Sequence, residues 1–540
     1  MSNVSPQELE VLKKCIVRVA KGRAVAAACV YGSKAAGYAR PDSDVDLLIA
    51  LENYPYVVKY VYLSESGVKV SALVVDRSAL ERDAKGAVLG EFVVGRLLHV
   101  YEPIVNAEFF AGIERIYKRR VILEEVQDIV NSTGVLSTEI AFPLEFVAFS
   151  KIKRRMALYP GAVYSYYKTY TTSKHNLAFA LEGYRKALAD IMTEDRELFA
   201  ARQDGLLQIS GRRIFVEKGK TRLKLTKRLQ EFGSYFVHTY AGRQIMYLFV
   251  SEAESKLRRR VGKPGELPDF MARPRGTYWT LPEGKLIIDS KDWLSELGYS
   301  VARKKRLGNV NSRTMLYVLE RDYGKIVVKE LAKTKAVKWA ALSMWTAPVK
   351  RFRVDPLFRL GSEYKAIRYI RSLGLRTPGI EALVIDRKIL VTRFIEGITL
   401  ADVIRDCIKA RGRASLLGEA GAQIAQIHNS GSTLGNVKPK NVIVSGGNDL
   451  YFTDVEQFVF QAGDPAWDLA QFISWGLKGT RNSEAAAEIT RKFLQGYVGV
   501  AGNKNIARLA KSRRHVESFY PVLAPSVARA IKKEIKEIAK

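Results

Sequence analysis

The sequence predicts a multidomain chain: an N-terminal α/β unit, a helical and basic middle region, and a smaller C-terminal α+β unit. Three observations predict it. The 540 residues exceed what a single hydrophobic core organises. Strand-like apolar runs alternate with helical periodicity as far as residue 110, and strand character then fades. Strands return with one helix from 285 to about 355, and helices dominate from 362 onward, broken by short strands at 381–394 and 442–453.

Composition narrows the class. Hydrophobic content of 47% and charged content of 26% are ordinary for globular protein. The longest apolar runs, such as 25–31, are too short to span a bilayer. The N-terminus lacks the basic-then-apolar layout of a secretion signal, and Cys15, Cys29 and Cys407 have no metal or disulfide spacing. These features point to a cytoplasmic protein with no membrane partner. The net charge of +31, from 87 basic against 56 acidic residues, favours a polyanion, with nucleic acid ahead of a merely solvated surface.

The elements follow in order. A helix is predicted over 7–21, and strands over 25–31, 45–51, 58–63 and 68–75, giving a first domain at 1–110. The region 111–262 holds helices at 144–157 and 176–192, a hairpin at 205–217 and a basic helical stretch at 221–260. Residues 263–284, rich in Pro and Gly, read as a linker to a domain at 285–540.

The first domain carries GSKAAGYARPDSDVD. Gly32 and Ser33 follow a strand and open a helix, where free backbone N–H groups can hold a phosphate. Asp44 and Asp46 stand two apart in a strand, so both carboxylates leave one face. Such a pair can hold Mg²⁺ (or Mn²⁺) bridging a nucleoside triphosphate and an attacking hydroxyl. Residues 20–110 resemble the polymerase-beta-type nucleotidyltransferase superfamily, in particular its minimal archaeal members. The resemblance implies a third carboxylate, the general base, on a later strand. In VKVSALVVD that slot falls on Ser71, and Asp76 lies five residues on, toward the opposite face. An active transferase and a degenerate binding or scaffolding domain both remain open.

The C-terminal half carries a second series. Val327-Val328-Lys329 reads as a strand ending in lysine. Glu363 lies near the start of a helix, and ILVTRFIEG over 389–397 reads as a strand and its exit. AQIHNSGSTLGNVKPKNVIV and LYFTDVEQF follow. In this order the segments resemble atypical protein-kinase-like families: the RIO kinases, the KEOPS-associated kinase and archaeal RNA kinases. The resemblance implies a small kinase-like fold using ATP and Mg²⁺. It implies a Lys329–Glu363 ion pair, a thin glycine loop at Gly308, and adenine held beside Phe394 and Glu396. Asn441 and Asp454 become metal ligands, and Lys438 neutralises the transferring phosphoryl group. Asp468 braces the catalytic loop, and His428 is structural. Asn436 occupies the catalytic aspartate slot. Asparagine can orient a hydroxyl but cannot accept its proton, so a slow kinase, a pseudokinase or a substituted aspartate is expected.

The middle region interleaves bases and rings: Lys151, Lys153, Arg154, Arg155, Tyr164, Tyr167 and Lys168. They could contact RNA phosphates and stack on unpaired bases, or form an amphipathic helix with a tyrosine-rich core. The stretches 218–228 and 256–260 add charge without rings.

The leading expectation is an ATP-dependent kinase that phosphorylates a hydroxyl of structured RNA, tRNA foremost. The transferase-like and helical domains would bind the RNA, since nucleotidyltransferase folds are frequent in tRNA enzymes. The alternatives are a serine/threonine protein kinase, a nucleotidyltransferase regulated by a pseudokinase, and a non-enzymatic RNA-binding scaffold.

Overall fold

The computed structural model describes residues 3–158, 163–200, 202–210, 275–288, 291–307, 313–320, 323–331, 353, 355–409, 413–500, 504–512 and 515–539. The chain divides into two compact units: Met1–Ser132 with Ile140–Trp279, and Thr133–Glu139 with Thr280–Lys540. The division at Trp279/Thr280 falls within the stretch read as a linker. No break occurs at residue 110, because a continuous helix runs through it. Among the described residues, no helix is long and apolar enough to cross a membrane.

The first unit opens with α1 (Pro6–Ala20), started by a Ser5/Glu8 capping box and a proline in its first turn. A five-stranded sheet follows, in the order β3-β4-β2-β1-β5. Its strands are β1 (Val25–Tyr31), β2 (Val45–Leu51), β3 (Val58–Glu65), β4 (Val68–Asp76) and β5 (Glu102–Val105). β2 and β4 are parallel, and the other neighbours are antiparallel. One sheet face, with Ala28, Val30, Leu47, Ile49, Ala72 and Val74, packs on Leu12, Cys15, Ile16 and Val19 of α1. Period-two alternation therefore commits the other face of β2 and β4 to the site.

α2 (Gly32–Ala35) is a single turn after β1, and α3 (Arg77–Gly86) follows β4. α4 (Ala107–Thr133), α5 (Leu144–Leu158), α6 (Val163–Thr172) and α7 (Lys174–Glu194) complete the described helices of this unit. The hairpin expected at 205–217 is not formed within its described part. β7 (Leu207–Gln208) pairs instead with β6 (Ala141–Phe142), a long-range partner that no local pattern encodes. The basic stretches 218–228 and 256–260 lie outside the described residues.

The second unit begins with a six-stranded sheet, in the order β8-β12-β13-β11-β10-β9. Its strands are β8 (Lys285–Ile287), β9 (Val301–Leu307), β10 (Thr314–Leu319), β11 (Lys325–Glu330), β12 (Ile380–Val384) and β13 (Ile389–Arg393). The core at this sheet includes Trp293, in the one-turn α8 (Trp293–Glu296), with Ile326, Val328, Val384 and Val391. α9 (Pro356–Ser372) lies between β11 and β12 in sequence. β14 (Ile398–Thr399), β15 (Val442–Val444) and β16 (Leu450–Phe452) form a second small sheet.

Helices α10 (Leu400–Ile408), α11 (Ser415–Asn429), α12 (Pro465–Gly476), α13 (Ser483–Gly499), α14 (Lys504–Ala510) and α15 (Pro525–Ile538) complete the described α-helices of this unit. α11 and α13 approach closely through glycine. A Cβ at Gly421 would strike the Phe493 carbonyl, and one at Gly496 would strike the Gly418 backbone.

Candidate functional site

In the first unit, sheet register assembles the site. Asp46 is the second residue of β2; it pairs with Tyr31 of β1 on one side and Ser71 of β4 on the other. Asp44 is exposed and immediately precedes β2, while Asp46 is half-buried. Gly32 has φ +75°, and a Cβ there would collide with the Asp46 carboxylate, so the turn needs glycine. The sequence is thus drawn into a glycine turn, Gly32-Ser33, beside the Asp46 carboxylate.

Ser71, where the resemblance implied a third carboxylate, occupies the level of Asp46 and is buried with 8% of its surface exposed. Asp76 sits five residues further along β4 and works locally. It caps α3 by accepting from the Ala79 N–H at 3.1 Å, and also accepts from the Ser78 hydroxyl and the Tyr54 N–H. Burial would raise its pKa, but these hydrogen bonds bring it below the ordinary value. Asp76→Ala is expected to lower stability by about 1 kcal/mol through the lost cap, measured by denaturant unfolding.

The interleaved bases of the middle region are placed differently from the expectation of an RNA contact. Lys151 and Arg155 are buried around the Glu91 carboxylate. Lys151 Nζ lies 2.6 Å from Oε1, Arg120 Nη1 lies 2.9 Å from the same oxygen, and Arg155 Nη1 lies 3.4 Å from Oε2. The Tyr117 hydroxyl also donates to Oε2 at 3.1 Å. Arg154 pairs with Asp128 at 2.7 Å, and Tyr167 is buried. Lys153, Tyr164 and Lys168 are half-buried. This stretch is a core ion-pair network with a tyrosine-rich wall. Lys151 and Arg155 are turned inward on Glu91 and buried, with 7% and 3% of their surface exposed, so neither is presented to a polyanion.

In the second unit, β11 and α9 bring Lys329 and Glu363 together at 2.8 and 2.9 Å. Lys329 also contacts Asp454 and lies 3.1 Å from Glu456, which is itself held by Arg359 at 2.7 Å. Burial would lower the Lys329 pKa, but the charges of Asp454, Glu363 and Glu456 reverse this and hold it raised, so the ammonium persists. Burial raises the proton affinity of Glu363, opposed by Lys329 and reinforced by Glu456 and Asp454. Glu456 is a member of this cluster that the sequence reading missed. Its position two residues after Asp454 was the available signal.

Asp454 follows β16 with φ +56°, a left-handed conformation unusual for aspartate and common where local strain serves a site. Asn441 Nδ2 lies 3.3 Å from Asp454 Oδ2. Asn436, Asn441, Thr453 and Asp454 line one small cavity. Asn436 is buried, and its Oδ1 has no hydrogen-bond partner among the described residues. An acceptor oxygen left unmatched at a cavity is suited to receive a ligand's hydroxyl proton in a hydrogen bond.

Asp468 braces this loop from α12, accepting from the Leu434 and Gly435 N–H groups at 2.7 and 2.9 Å. His428 joins Asp468 at 3.2 Å to the Tyr497 hydroxyl at 3.0 Å, a structural role. Lys438 Nζ stands 4.6 Å from the Trp475 ring centre. Phe394 donates its N–H to the Lys325 carbonyl, and Glu396 pairs with Lys325 at 2.6 Å, which fixes the exit from β13. Gly308 lies outside the described residues.

Around Lys329 three carboxylates, Glu363, Asp454 and Glu456, face two bases, Lys329 and Arg359. Among the described residues no cluster of three or more His, Cys, Asp or Glu forms a ready metal cage. Asp44 with Asp46, and Asn441 with Asp454, are oxygen-donor pairs. Mg²⁺ is commonly held by one or two such groups together with substrate phosphates.

The first unit is thus an α/β domain presenting a carboxylate pair beside a glycine turn. Residues 10–129 match the family model of the nucleotidyltransferase domain. The match takes in the whole five-stranded sheet and most of α4. It places a transferase-type domain in the chain, and domains of this family generally use a nucleoside triphosphate and a divalent metal. No curated protein matches the chain.

Proposed function

We propose that the C-terminal unit is an atypical kinase-like domain that transfers the γ-phosphate of ATP to a hydroxyl of structured RNA, and that the N-terminal unit binds the same RNA. The observation that carries this reading is the Lys329 cluster. A strand lysine is fixed by a helix glutamate at 2.8 Å and meets Asp454, which Asn441 touches at 3.3 Å. Phosphoryl transfer needs positioning and charge neutralisation more than covalent chemistry. Lys329 would hold ATP phosphates, Asn441 and Asp454 would hold Mg²⁺, and Asn436 would orient the acceptor hydroxyl. Magnesium would supply charge neutralisation between the phosphates.

RNA is favoured as acceptor by the net charge of +31 and by the nucleotidyltransferase domain in the same chain. β9 adds support that the sequence reading overlooked: Arg303, Lys304, Lys305 and Arg306 are consecutive and exposed on a sheet edge. The test is label from γ-labelled ATP in purified tRNA, with added protein substrate as the rival acceptor. Asn436→Asp is expected to raise the rate about 10²- to 10⁴-fold by restoring a general base. Label in protein and none in RNA would overturn the proposal.

A further inference from the structure

The edge strand β3 presents aromatic rings on the same sheet face as the carboxylates. Tyr62 pairs with Ser71 across β3–β4, and Ser71 pairs with Asp46 across β4–β2, so the three side chains share one row. Strand spacing puts Tyr62 about 10 Å from Asp46 across the sheet. Its side of the sheet is the one α1 leaves uncovered, since α1 packs against Val61 and Leu63 of the alternate set. Tyr62 is 54% exposed, a large fraction for a ring in a strand.

The ring is backed and held. Tyr60 stacks on Tyr62 with centroids 6.1 Å apart and planes 12° apart. Tyr60 meets Phe92 edge-on, and its hydroxyl receives a hydrogen bond from Arg96 Nη2 at 3.4 Å. The Arg96 guanidinium in turn lies over the Tyr31 and Phe92 rings. Exposed Lys69 stands diagonally from Tyr62, because it pairs with Ser64 on β3. Another exposed ring just before the strand sits toward the opposite face, since Tyr54 packs on the α1-side core and Lys59 alternates with Tyr60 and Tyr62. Tyr56, 54% exposed, meets Tyr54 edge-on and lies under Lys59 Nζ at 4.7 Å.

We propose that β3 is a base-stacking platform for single-stranded RNA. A base stacks on Tyr62, the backbone phosphate meets Lys69, and the ribose end of that nucleotide points along the row toward Asp46. Rings paired with cations bind single strands in a sequence-tolerant way, because every base has a π-face. An open edge strand and a net charge of +31 suit a polyanionic strand rather than a mononucleotide. The inference deepens the proposal that the N-terminal unit binds RNA and names the surface that does so.

The test is fluorescence anisotropy of the full chain, with Mg²⁺, on a labelled single-stranded oligoadenylate of about a dozen nucleotides. Tyr62→Ala is expected to weaken binding roughly 5- to 100-fold, the worth of one stacked base. Tyr62→Phe keeps the ring and is expected to bind within about twofold of the parent. Lys69→Ala is expected to lower the slope of log affinity against log salt by about one unit or slightly less. An unchanged melting curve for Tyr62→Ala accompanies these results, since the side chain lies at the rim.

Equal binding by Tyr62→Ala and the parent overturns the platform. So does full competition by ATP alone at its own binding concentration, which would make this a mononucleotide site. Failure of γ-label transfer to RNA with the Tyr62 contrast intact overturns the kinase reading and leaves the platform standing. Transfer to RNA without the Tyr62 contrast does the reverse.

Discussion

Asp454→Ala is expected to lower γ-phosphate transfer by roughly 10²- to 10⁴-fold, through the loss of several kcal/mol of transition-state charge stabilisation. The aspartate touches both Lys329 and Asn441. Removing it frees Lys329 to settle on Glu363 at 2.8 Å and Glu456 at 3.1 Å, away from a phosphate. The fold should survive, because the Asp454 side chain is 39% exposed and caps no helix. Its left-handed φ of +56° is a local cost that alanine would feel more than asparagine. Asp454→Asn therefore isolates the charge: it keeps the shape and the Asn441 contact. The measurement is initial rate of label transfer from γ-labelled ATP, beside a melting curve. Both variants labelling RNA at the parent rate would show that transfer does not use this cluster.

The parts of both sites that were legible in the sequence are those carried by short motifs and the resemblances they support. The polymerase-beta-type resemblance pointed to Ser71, and the parallel register pairs it with Asp46. The Lys329–Glu363 pair was implied by the kinase-like resemblance, carried by a strand ending in lysine and a following helix, and the two groups do meet. Burial and long-range pairing were not legible. For Lys151 and Arg155 an RNA contact and an amphipathic helix over a tyrosine-rich core were equally open, because their partner, Glu91, is 60 or more positions away. β7 pairs with β6 across a similar gap, so its sequence suggested a hairpin. Period-two alternation also holds for β3, yet Tyr60 and Tyr62 drew no notice. Aromatic residues in a strand ordinarily signal core, and only exposure separates a platform from a core ring.

Glu91→Gln is expected to destabilise the N-terminal unit by about 3–5 kcal/mol, because it strands buried positive charge. Glu91 faces Lys151, Arg120 and Arg155 within 2.6 to 3.4 Å, with only 8% of its side chain exposed. The cations have few alternatives. Glu124 is shared by Lys151 and Arg120, and Arg155 is further held by the Glu91 carbonyl at 3.0 Å. A Cβ at Gly95 would strike the Arg155 guanidinium, so the glycine opens the space that guanidinium fills. Lys151→Met should cost less, since Arg120 and Arg155 still neutralise the carboxylate.

The pH dependence follows from the same geometry. Burial would raise the Glu91 pKa, but the three cations pull it well below its ordinary value of 4.5. A depressed folded pKa contributes stability that is complete above the unfolded value and is lost as pH falls through the folded one. The parent should therefore lose stability on acidification below about pH 4.5, and Glu91→Gln should show a shallower loss over that window. Two units are expected to give more than one transition, so a single unfolding free energy does not describe the chain. ATP with Mg²⁺ raises whichever transition belongs to the unit that binds them. Glu91→Gln should lower the transition of the N-terminal unit, and an unmoved melting profile would mean that the buried cations are satisfied without Glu91.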